Sequence, residues 1–151
     1  MTSFQVLLCA AAATLLAASV ESSSGGSYSN YNFELSGQAL TDLYNRPVHL
    51  AERVERPLGG SSGAARPFSH TGVRVTLGDG SQWLIHKGDG FGLSSQTVVT
   101  DARHMSSAWK TIRTKDFGGT RTVSDFVSAG GPNYNLVLDN CHLGSRRMMN
   151  Q

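Results

Sequence analysis

One cysteine and two histidines are the residues of this 151-residue chain best suited to covalent chemistry. Cys141 follows Asp139-Asn140, both good helix caps, and is expected to open a C-terminal helix reaching about Met149. A thiol at a helix start is favoured as thiolate, and a neighbouring imidazolium would favour it further. His70 and His86 are the candidate imidazoles. Acyl transfer needs a nucleophile, a base and a group that orients the base. Cys141, His70 and His86 are assigned those roles in that order. The plain alternatives are a buried apolar thiol or an intermolecular disulfide dimer through Cys141, and surface positions for both histidines.

The histidines must be brought together by a hairpin. His70-Thr-Gly-Val-Arg-Val-Thr-Leu77 alternates, Gly78-Asp79-Gly80 is a turn signal, and Ser81-Gln-Trp-Leu-Ile-His-Lys87 follows. A three-residue loop centred on Asp79 sorts the faces. Val73, Val75, Leu77, Trp83 and Ile85 then share one side, while His70, Gly72, Arg74, Thr76, Gln82, Leu84 and His86 share the other. A two-residue loop would mix Trp83 and Ile85 with Arg74 and Thr76. In the better register His86 lies opposite Gly72, and His70 is one diagonal step away. Such neighbours are roughly 7–8 Å apart at the backbone, so the rings can meet over the missing Gly72 side chain.

Upstream, the apolar run Val6 to Ala18 contains Cys9, the other cysteine, and reads as a signal-peptide core. Residues 1–19 are therefore expected to be removed on secretion, leaving Cys141 as the one thiol. Residues 20–65 are expected to be flexible and partly helical, with helices at Gln38 to Tyr44 and His49 to Arg56. The compact domain is expected to start near Arg66 and to span residues 66–151. Downstream of a Gly88 to Gly92 loop, strands are expected at Gln96 to Thr100 and Trp109 to Thr114. A short helix capped by Thr122 should stop at Gly130-Gly131. The fold class is α+β, a small antiparallel sheet packed against the helix that carries Cys141.

These parts resemble the lecithin–retinol acyltransferase-like group of the NlpC-type, permuted papain-like superfamily. The resemblance rests on His70, the Gly-Asp-Gly turn, the strand ending in His86, then Tyr134-Asn135-Leu136 and Asn140-Cys141. It covers about residues 66 to 149. It implies a base at His70, a polar third member at His86 and a nucleophile at Cys141. Reactions through an acyl-enzyme follow from it: phospholipid acyl transfer, phospholipase-like hydrolysis or amide hydrolysis. After Asn140-Cys141 this chain has His142-Leu143-Gly144 where the family commonly has Glu-His-Phe.

Charge adds exclusions. The formal net charge is +2 and only Arg146-Arg147 places two basic residues side by side, so no nucleic-acid footprint is present. The leader is too short for a good membrane span. His142 adjoins the thiol, but no metal-ligand spacing accompanies it, and neither metal nor cofactor is called for. His49 and His104 read as surface residues, and Trp83 and Trp109 as core. The expected activity is a secreted thiol-dependent hydrolase or acyltransferase on a lipid, ester or peptide substrate. The alternative is a non-catalytic secreted binding or defence module on the same fold.

Overall fold

A computed structural model describes residues 35, 37–57, 69–87, 97–135 and 138–151. The expected signal peptide and the Gly88 to Gly92 loop lie outside the described residues. The chain forms helix α1 (Gly37–Tyr44), strands β1 (Pro47–Pro57), β2 (Ser69–Leu77), β3 (Gln82–Lys87) and β4 (Thr97–Asp101). A 3₁₀ turn at Ala102–His104 leads to strand β5 (Lys110–Thr122), then helices α2 (Val123–Gly130) and α3 (Cys141–Met149). The strands make one antiparallel sheet in the order β4-β3-β2-β1-β5. This is the expected α+β architecture, with Cys141 as the first residue of the C-terminal helix.

The β2–β3 hairpin has the three-residue loop. Gly72 pairs with His86, Val73 with Ile85 and Thr76 with Gln82. Leu77 N–H donates to the Ser81 carbonyl at 2.9 Å, closing the ladder around Gly78-Asp79-Gly80. Gly80 has φ +83°, a left-handed conformation open to glycine. Asp79 then accepts from the Ser81 amide and hydroxyl, which fixes the turn.

The expected helix at His49 to Arg56 is instead the body of β1, and the sheet begins upstream of the expected Arg66 boundary. The cause is visible in the register. β1 bulges between Val48 and Leu50, so Val48 and Ala51 face the same core although they are three residues apart. Val54, a further three residues on, is buried on the opposite face. A bulged strand buried on both sides thus imitates helical spacing, and pairing with β2 and β5 overrides the helix-forming Ala, Glu and Arg residues.

The core lies on one face of the sheet. Val48, Ala51, Val73, Val75 and Ile85 are closed over by Phe126 of α2 and by Met148 and Met149 of α3. Phe117 and Phe126 pack edge to face at 5.0 Å between centroids. Helix α2 has the expected Thr122 cap, here a full capping box with Asp125.

Candidate functional site

His70 and His86 leave the sheet on the face away from α3. Thr71, between His70 and Gly72, contacts Ser145 of α3 at 3.1 Å, and alternation turns both of its neighbours the other way. The two imidazoles meet as the hairpin register requires. His70 Nε2 and His86 Nδ1 are 2.9 Å apart, with the rings edge to face. Gly72 makes the room. A Cβ there would lie 2.9 Å from His86 Cβ and 3.0 Å from Leu84 Cδ1.

Both rings are buried, His70 at 5% and His86 at 1% exposure. Burial, joined by the charges of Arg56 and His142, lowers the His70 pKa to about 4. Burial and His70 likewise hold His86 well below the ordinary histidine value. The imidazolium expected beside the thiol is therefore not the resting form at neutral pH. The pair is neutral, the form a general base requires.

Cys141 is a free, buried thiol at 6% exposure. That placement does not suit the expected disulfide dimer, which needs the sulfur at the surface. Asn140 caps α3 by accepting from the Leu143 amide at 3.1 Å, and its carbonyl accepts from the Gly144 amide at 2.9 Å. The Cys141 and His142 amides precede the first intrahelical bond, so they belong to the free donors of the helix start. His142 Nε2 contacts the Ser69 carbonyl at 2.9 Å, which sets the tip of α3 level with the first residues of β2. Among the described residues, His70 hydrogen-bonds to His86 and not to the thiol. Cys141 and His70 thus belong to neighbouring element ends, the start of α3 and the start of β2.

A buried network anchors that helix tip. Lys87 follows His86 and points to the α3 side, where its Nζ lies 2.7 Å from Asp139 and also donates to the Asn133 carbonyl. Burial lowers the Lys87 pKa despite the attraction of Asp139. Asp139 also takes Arg147 at 2.6 Å, and Arg147 in turn donates to the Ala129 and Gly130 carbonyls at the end of α2. Asp139, read from the sequence as a helix cap, is a charge hub, and Asn140 alone is the cap. Arg147 thereby ties α3 to the end of α2.

Two further residues face the histidine pair. The chain from β4 to β5 must pass from one sheet edge to the other, and it brings Trp109 against His70 at 5.5 Å between ring centroids. Arg56 is the cross-strand partner of His70, and its guanidinium lies 5.3 Å above the Trp109 ring. Trp109, expected in the core, instead shields a polar pair. Sequence reasoning misses Arg56 because its segment reads as a helix; once β1 is a strand, pairing places it beside His70. Lys87 has a signal of its own, a charged residue on the Trp83–Ile85 parity. Arg74, on the histidine face, is paired with Glu52 at 2.7 Å. His49 is exposed and His104 half-buried, neither of them at this site.

Among the described residues no helix is long and apolar enough to cross a membrane. Comparison with known proteins finds no matching family model, no matching curated protein and no matching solved structure.

Proposed function

We propose that this chain is a secreted, thiol-dependent hydrolase or acyltransferase of the permuted papain-like kind, working through an acyl-Cys141 intermediate. The observation that carries the proposal is the buried 2.9 Å contact between His70 Nε2 and His86 Nδ1. Two neutral imidazoles in contact hold one proton between them. With that proton on His70 Nε2 and shared with His86, the His70 Nδ1 lone pair is the base.

The chemistry then balances. His70 Nδ1 takes the thiol proton as Cys141 Sγ bonds to the substrate carbonyl carbon. The oxyanion develops near the free amides at the start of α3. The leaving alcohol, thiol or amine departs with the proton from His70, and acyl-Cys141 remains. Water or an acceptor nucleophile gives a proton to His70, attacks the acyl carbon and releases Cys141. What supports bringing the two together is the contact of His142, next to the thiol, with the carbonyl of Ser69, next to His70, at 2.9 Å.

The test is intact-mass spectrometry of reduced protein incubated with phospholipids, activated esters and short amides. An acyl adduct on Cys141, lost in Cys141→Ala and strongly slowed in His70→Ala, is the expected result. If no substrate leaves an adduct or a product, a binding module on the same fold becomes the better account.

A further inference from the structure

We infer that Arg56 and Trp109 form an anion subsite beside His70, so that the acyl substrate carries a carboxylate or phosphate near its scissile carbonyl. The substrate half of this inference rests on the proposed acyl-transfer reading; the anion subsite does not.

The two arginines of the histidine face differ in their partners. Arg74 is neutralised by Glu52, held at 2.7 Å and 2.8 Å through two nitrogens. Arg56 has no carboxylate partner among the described residues. Its contacts are the Trp109 face and a long 3.5 Å approach to the Pro57 carbonyl. The adjacent carboxylate, Glu55, is on the opposite parity and accepts from Ser69 Oγ at 2.6 Å. Among the described residues, Arg56 is thus a cation held by an aromatic face with no carboxylate on its in-plane donors. A guanidinium fork matches a carboxylate or a phosphate in two parallel hydrogen bonds.

Position gives the subsite its meaning. Arg56 and His70 are directly paired across β1 and β2, and Trp109 touches both. An anion on Arg56 therefore lies one side chain away from the proposed base. The other groups that bear on His70 are His86, in contact, and His142, which like Arg56 disfavours a charge there. An anion would reverse the effect of Arg56 and make His70 easier to protonate.

The experiment follows the His70 ring by NMR during pH titrations of the full chain, with chloride, acetate or inorganic phosphate at one ionic strength. Acetate or phosphate should raise the pH at which His70 titrates, in wild type but not in Arg56→Gln, with Arg56→Lys keeping part of the effect. Acetate alone active would assign a carboxylate, phosphate alone a phosphate. A titration unmoved by either anion, or moved equally in Arg56→Gln, overturns the subsite. For matched esters, Arg56→Gln should lower kcat/KM about tenfold more for the anionic member than for the neutral one. Equal losses on both esters would overturn the substrate half. An Arg56-dependent titration shift without any acyl adduct would uphold the subsite and remove the acyl-transfer reading.

Discussion

Both faces of this sheet hold buried side chains, but of different kinds. On the helix face, Val48, Ala51, Val73, Val75 and Ile85 meet Phe126, Met148 and Met149. On the other, Val54 and Leu84 share the interior with His70, His86 and Thr100. An imidazole pair stabilises a fold less than apolar side chains of similar size, because desolvation offsets most of its hydrogen bonding. A sheet that buries such a pair on one face and keeps a full core on the other separates stability from chemistry. Substitutions on the two faces should therefore fail in different ways.

The largest effect belongs to the helix face. Phe126 is fully buried, and Phe126→Ala should cost about 3–5 kcal/mol in urea unfolding. His70→Asn should leave most of the stability in place and stop the proposed thiol chemistry. If His70→Asn destabilised as much as Phe126→Ala, the division of labour between the faces would be wrong.

Acid should distinguish the faces next. His70 has a folded pKa of about 4 against an ordinary value of 6.5. The unfolded chain binds the extra proton between those values, so stability is full above about 6.5 and falls as pH drops towards about 4. The difference corresponds to about 3 kcal/mol, with His86 acting in the same direction. Glu52 and Asp139 are held below their ordinary values, so their contributions are lost only in more acid solution. Denaturant midpoints across this range should slope in wild type and slope less steeply in His70→Asn, where His86 still contributes. Parallel slopes would show that His70 is not the group being protonated.

Gly72 tests the contact between the rings. Gly72→Ala puts a methyl 2.9 Å from His86 Cβ and 3.1 Å from the Ile85 carbonyl, neither of which is a free side-chain end. The overpacking should cost about 1–3 kcal/mol and displace the His86 ring from His70. Alkylation of Cys141 should slow in the variant. Unchanged stability together with an unchanged alkylation rate would mean that Gly72 does not set the ring positions.

The histidine pair is legible in the sequence because one hairpin register alone separates polar from apolar residues at Val73, Val75, Trp83 and Ile85. Asn140 and Thr122 are legible as caps because capping is local chemistry. β1 is not legible. Its bulge and two-sided burial produce a helical period that only the flanking strands resolve. Arg56 goes with it, since its place beside His70 follows from strand pairing. The Lys87–Asp139–Arg147 hub joins residues far apart in sequence, and no local pattern announces such a contact.

The smallest effect concerns the helix that carries the thiol. Asn140 Oδ1 accepts the Leu143 amide, and Asn140→Ala removes that acceptor from the first turn of α3. The loss should be about 1 kcal/mol, with Asn140→Ser restoring most of it because a hydroxyl can accept the same bond. Lys87 and Arg147 still hold Asp139, so the helix should fray at its tip rather than detach. Cys141 lies in that frayed turn, and its alkylation should become faster with a small neutral reagent as its burial is relaxed. The proposed acyl transfer should become slower, because the free amides of the turn would no longer be held towards one point. The two rates are measurable on the same sample and should move in opposite directions. If both fell together, the cap would be acting through overall stability, and the tip of α3 would have no separate part in the chemistry.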